Sequence, residues 1–137
     1  MLTIQEFITW LKTLKVTGLY AGYYPKDKSQ VIGVYNRSGE KQPEAYGSGS
    51  SYKITSLTLL VHWTKGVYET EAKANALYDL LNRAKISTTS HEGWIECKRA
   101  PQNVGKDENG VCEYSLDINI YAKKVEQTIT TGGNNNG

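Results

Sequence analysis

The stretch Cys112-Glu113-Tyr114-Ser115-Leu116-Asp117-Ile118-Asn119-Ile120-Tyr121 decides the fold. Cys112, Tyr114, Leu116, Ile118 and Ile120 alternate with Glu113, Ser115, Asp117, Asn119 and Tyr121. A period of two held this long is the mark of a strand with one face on a core, so the expectation is one buried face and one wet face. Lys106-Asp107-Glu108-Asn109-Gly110 precedes it and is a turn sequence, built from residues that accept tight backbone geometry. Upstream, Tyr52 to Trp63 reads as a second long strand. Leu57, Leu59, Val61 and Trp63 share one of its faces, and Thr58, Leu60 and His62 share the other, where Leu60 indicates partial cover.

Between these strands, Val67 to Asn82 reads as an amphipathic helix. Glu69 and Lys73 stand at helical spacing, and Ala72, Ala76, Leu77, Leu80 and Leu81 form its apolar stripe. A first helix is expected from residue 3 to 15: Thr3 and Glu6 make a capping box, and Ile4, Phe7, Ile8, Leu11 and Leu14 recur until Gly18. Leu19 to Tyr23 and Val31 to Tyr35 are two short β runs around Tyr24-Pro25, and they are expected to form a hairpin. Arg37 to Ser51, with Gly39, Pro43, Gly47 and Gly49, is a long loop with almost nothing to bury. Trp94 to Arg99 is a further strand that Pro101 stops, and Gln102 to Gly110 carries the chain to the final strand.

The resulting class is α+β: a mostly antiparallel sheet with two helices packed on one face. One domain is expected over residues 1–125, with a disordered polar tail over 126–137 that ends in Gly and Asn. At 137 residues, folding buries roughly two thirds of the surface the unfolded chain exposes, enough for one core without staples. Sixteen basic and 14 acidic residues leave a net charge of +2, too small to argue for sequence-specific nucleic acid or a membrane surface as partner. No apolar run approaches a membrane span, and no secretion signal is visible, so a cytoplasmic setting is expected. Cys97 and Cys112 are then read as reduced thiols, although the register could still set them opposite each other.

Chemistry is sparse. His62 and His91 have no metal-like partner at short spacing, and neither cysteine sits in the exposed, electropositive setting of an activated thiol. Asp107, Glu108 and Asn109 lack the alternating oxygen ligands of a calcium loop. Gly47 to Ser51 lacks the Lys-Ser/Thr of a phosphate loop. Ten tyrosines and three tryptophans fit packing on half-buried strands better than a stacking platform. The expectation is no catalytic residue, no cofactor and no metal.

Taken together, Leu57-Thr58-Leu59-Leu60-Val61-His62-Trp63-Thr64-Lys65-Gly66, followed by Tyr68 to Ala72 and Ala76 to Leu81, resembles the central strand and helix of the tail terminator proteins of long-tailed bacteriophages, a group also called tail completion or minor capsid proteins. Arg99 to Gly110, running into Glu113 to Ile118, is similar to their terminal hairpin, with Arg99, Gly105 and Lys106 the best matches. Pro25, Tyr35, Asn36, Gly39 and Pro43 fit the same pattern, whereas the Gly/Ser-rich stretch near Ser48 and the tail after Val125 depart from it.

The resemblance implies a homo-oligomeric ring, commonly of six subunits, that caps the tail tube and joins the tail to the connector or stopper protein of the head. It implies a place in the virion after assembly in the bacterial cytoplasm. On that reading the assembly contacts are Arg37, Glu40, Lys41, Glu44 and Tyr46 in the long loop and Lys106, Asp107, Glu108 and Asn109 in the turn, with the charged flanks of the helices joining subunits. Two rivals stay open: a neighbouring head-closure or connector protein, and a small ligand-binding or catalytic α+β domain.

Overall fold

A computed structural model describes residues 1–38 and 52–125. The chain runs α1 (Ile4–Thr13), β1 (Leu19–Ala21), β2 (Val31–Asn36), β3 (Lys53–His62), α2 (Val67–Leu81), β4 (Lys85–Ser87), β5 (His91–Cys97), β6 (Gln102–Lys106) and β7 (Cys112–Lys124). The strands form one sheet in the order β1-β2-β3-β7-β5-β4, with β6 paired to β7 beside β5. Every pairing is antiparallel except β1 with β2. The α+β class with both helices against one face is what the sequence periodicity predicts.

β7 is the centre. One edge pairs with the whole of β3, from Lys53 opposite Ala122 to His62 opposite Glu113. Its other edge is shared: Ile118 to Lys124 pair with β5, and Cys112 to Ser115 pair with β6. The register sets Leu57, Leu59 and Val61 opposite Ile118, Leu116 and Tyr114, and Ile32 and Val34 of β2 continue the same layer. Phe7, Ile8 and Leu11 of α1 and Ala74, Leu77 and Leu81 of α2 close over it as one apolar cluster.

Several elements depart from the sequence expectation for reasons the structure supplies. The first two strands do not form a hairpin: Leu19 lies beside Ile32 and Ala21 beside Val34, in parallel. Gly22 turns the chain away at φ +77°, and residues 22–30 return it to the start of β2, where the Gln30 amide bonds to the Trp63 carbonyl. That detour lays Tyr24 over the helix-free face, where its ring meets His62 at a centroid distance of 4.8 Å. Gly33 of β2 lies beneath, since a Cβ there would come within 2.7 Å of the Tyr35 ring and 3.1 Å of Tyr24.

The buried stripe of α2 is Thr70, Ala74, Leu77 and Leu81, whereas Ala72, Ala76 and Leu80 are exposed. The Thr70 hydroxyl bonds the Gly66 carbonyl, so a polar residue holds the first turn and the helix rotates off the alanine row. Lys73 lies over the Trp63 ring rather than answering Glu69, which accepts the Thr64 hydroxyl. β4 and β6 are strands the sequence reading passes over. The first has three residues, and the second is almost wholly exposed with Val104 bulged out, so neither shows an alternation. β5 also begins earlier than expected, at His91. Cys97 faces Ile118 and Cys112 faces Lys106 across the ladder, so the two free thiols are not opposite each other.

The second face of β7 is not uniformly wet. Glu113 and Asn119 are buried on it, as is His62 opposite. The core assignment is tested by truncation: Leu116→Ala should cost about 2–5 kcal/mol in urea unfolding, as a fully buried leucine does. Leu80→Ala, on the exposed side of α2, should change stability by no more than about 0.5 kcal/mol.

Candidate assembly surfaces

The face of the sheet away from the helices carries a chain of polar contacts that the alternation along β3 and β7 aims outward. At one end, Glu113 Oε2 accepts from the Tyr24 hydroxyl at 2.5 Å and from His62 Nδ1 at 2.9 Å. Burial, then the bond to Glu113 and its charge, pushes the Tyr24 hydroxyl well above the usual phenol range, and burial with the Glu113 charge raises Tyr35. In the middle, Asp117 accepts from the Thr58 hydroxyl at 2.7 Å and has the Arg37 and Arg99 guanidinium groups at 3.9 and 3.6 Å. Arg37 also donates to the Ile118 carbonyl and to Asn119 Oδ1, which the Ser56 hydroxyl shares. At the far end, Trp94 stacks on Tyr121 with planes 10° apart and meets Tyr52, over which Lys123 sits.

These groups come from β2, β3, β5, β7 and the loop after β1, so only the register brings them together. His62 stands in the apolar run Leu57 to Trp63, and that isolation is the one sequence signal of a paired side chain; Glu113 as its partner is invisible without knowing that the two lie opposite. Of the loop residues expected at contacts, Arg37 is folded back onto β7 with its side chain 23% exposed. Glu40, Lys41, Glu44 and Tyr46 lie outside the described residues.

The turn after β6 is structured by its own acid. Asp107 Oδ1 accepts from the Asn109 and Val111 amides, both at 2.9 Å, and the Asp107 amide bonds the Val111 carbonyl. Those amide bonds, led by that of Val111 and acting against burial, hold the carboxyl below its ordinary range, with help from the charges of His62 and Lys26. Asp107 is therefore committed within the subunit, while Lys106, Glu108 and Asn109 are exposed at the tip.

A second locus lies between α1 and the β4–β5 turn. The Glu6 side chain does not close the capping box; the Thr3 hydroxyl accepts from the Glu6 amide, but the Glu6 carboxylate crosses to the turn. Its Oε2 takes the Ser90 and Thr88 hydroxyls at 2.5 and 2.6 Å and His91 Nδ1 at 2.7 Å. Burial acts to raise this carboxyl, yet the Ser90, Thr88 and His91 bonds and the His91 charge outweigh it and draw the pKa down to about 2. The Ser90 hydroxyl meets the same imidazole nitrogen that bonds Glu6, so the three groups are not strung in the nucleophile, base and orienting-acid order of a hydrolase. Beside them runs an open groove of about 780 Å³ lined by hydroxyl residues and Trp10. Among the described residues, no helix is long and apolar enough to cross a membrane.

The arrangement is thus a sheet with exposed ends, a projecting hairpin and a polar outer face. Over residues 3–124 the chain matches the family described as bacteriophage tail terminator protein, which defines the class as a structural component of the phage tail. Within that class, the chain belongs to the bacteriophage tail terminator family. A search of curated proteins gives no match.

The Glu6 tether has a signed pH signature. Its folded pKa, about 2, lies below the ordinary 4.5, so its stabilisation is present above about pH 4.5 and is lost as pH falls toward 2. Glu6→Gln should lower stability by about 1–3 kcal/mol at neutral pH, and the gap to the natural protein should close over that acid window in chemical denaturation.

Proposed function

We propose that copies of this chain form a closed ring, of six subunits, that caps the tail tube when it reaches its final length, stops further growth, and presents its outer side to the connector or stopper protein of the filled head. The observation that carries this reading is the family match across nearly all of the described chain. The shape of the subunit supports it. The sheet ends in two unlike strands, β1 and β4, each of three residues and each without a further strand beyond it among the described residues. Two different surfaces at opposite ends of one subunit suit a heterologous contact, the kind that closes rings. Short edge strands allow such docking without inviting open-ended sheet growth.

In this reading the exposed hairpin tip, Lys106, Glu108 and Asn109, meets an axial neighbour, either the tube protein or the head connector. Arg37, Glu40, Lys41, Glu44 and Tyr46 contribute from the long loop, and Asp107 acts by holding the turn rather than by touching a partner. The ring takes its place in the neck of the virion after assembly in the host cytoplasm.

Light scattering of the purified full chain over a wide concentration range should give a species near six subunits at its upper end. Exchanging charges at the tip, Lys106→Glu with Glu108→Lys, should leave that species and the thermal unfolding temperature unchanged while abolishing the rescue of particles made without the protein. Full rescue by this double variant would remove the tip from the contact.

A further inference from the structure

The buried cluster between β3 and the hairpin turn has a feature that its hydrogen bonds do not satisfy. His62 is fully buried in the described structure, and its Nε2 has no hydrogen-bond partner. Asp107 Oδ2, likewise buried and unpartnered, faces that nitrogen at 3.7 Å. The gap is too long for a direct hydrogen bond. It does admit an ion about 2.1 Å from each atom, the ordinary length of a transition metal's bond to imidazole nitrogen or carboxylate oxygen.

We propose that His62 Nε2 and Asp107 Oδ2 are the two protein ligands of a divalent transition-metal site, with water completing the shell. His62, Asp107 and Glu113 offer ligand atoms that all lie within 4.8 Å of one another. The ring is oriented for the task, because Nδ1–H donates to Glu113 Oε2 and leaves the Nε2 lone pair aimed at the aspartate. A carboxylate behind a histidine fixes the tautomer and raises the basicity of the ligating nitrogen. Glu113 is itself held by the Tyr24 hydroxyl, and the Tyr24 ring lies against the imidazole. The aspartate is equally fixed, since its other oxygen is occupied by the Asn109 and Val111 amides. The pairing of one imidazole with one carboxylate favours zinc, manganese, cobalt or nickel over calcium, which takes oxygen ligands alone. An ion here pins the hairpin turn to the end of β3.

The test is titration of the full-length, metal-stripped protein with Co²⁺, read by its visible absorption. The site predicts saturable binding of one ion per chain that His62→Gln and Asp107→Asn each weaken at least tenfold, while His91→Gln leaves it unchanged. Asp107→Asn keeps an oxygen for the two turn amides, so it decides the matter if His62→Gln does not fold. No saturable binding up to about a millimolar, the weak end of protein cation sites, would overturn the proposal and leave a bridging water in the gap. Binding that persists unweakened in a folded His62→Gln or Asp107→Asn protein, or that is lost in His91→Gln, would overturn it equally.

Discussion

The structure depends on the pairing of β7. This strand is hydrogen-bonded along both edges, to β3 on one side and to β5 and β6 in turn on the other. The ladder does two things at once. It fixes the layer of Leu57, Leu59, Val61, Leu116, Ile118 and Ile120 against which both helices pack. It also fixes which polar residues meet on the far face, because a slip of one residue sends every side chain to the opposite side. His62 opposite Glu113 and Thr58 opposite Asp117 are consequences of the same register that sets Leu59 opposite Leu116.

That coupling explains why buried polar groups are tolerated outside the core proper. Glu113, His62, Asn119 and Ser56 are buried, and most of their polar atoms are paired with one another, with Tyr24 or with Arg37. An unpaired buried polar atom costs free energy, so the networks stabilise the register only where they are complete. The loop after β1, which carries Tyr24, and the turn at Asp107 both converge on this face, so it ties distant parts of the chain to the central pair of strands. Glu6 performs the equivalent service on the other side, joining α1 to the β4–β5 turn through one carboxylate oxygen.

What could be read in advance follows from the physics of each element. β7 and β3 announce themselves because a half-buried strand writes its environment into a period of two, and α1 does so because Phe7, Ile8 and Leu11 are large and periodic. The stripe of α2 is misread because alanines weigh little in either phase and the buried Thr70 looks polar. The parallel partnership of β1 and β2 has no local signature: three residues pair after a detour whose turns look like those of a hairpin. β6 is exposed on nearly every side and leaves no pattern. At the candidate surfaces, the tip residues Lys106, Glu108 and Asn109 are legible as a turn, but the inward role of Asp107 and the His62–Glu113 pair emerge only once strands distant in sequence lie side by side.

The resulting account is of a subunit whose interior is ordinary and whose function lies in its edges and projections, as membership of the tail terminator family implies. The most direct measurement is the distribution of tail lengths in particles assembled without this protein, imaged by electron microscopy. The account predicts tubes that run past the normal length and heads left unjoined. Tubes of normal length attached to heads that leak DNA would contradict it and place the protein in head closure instead.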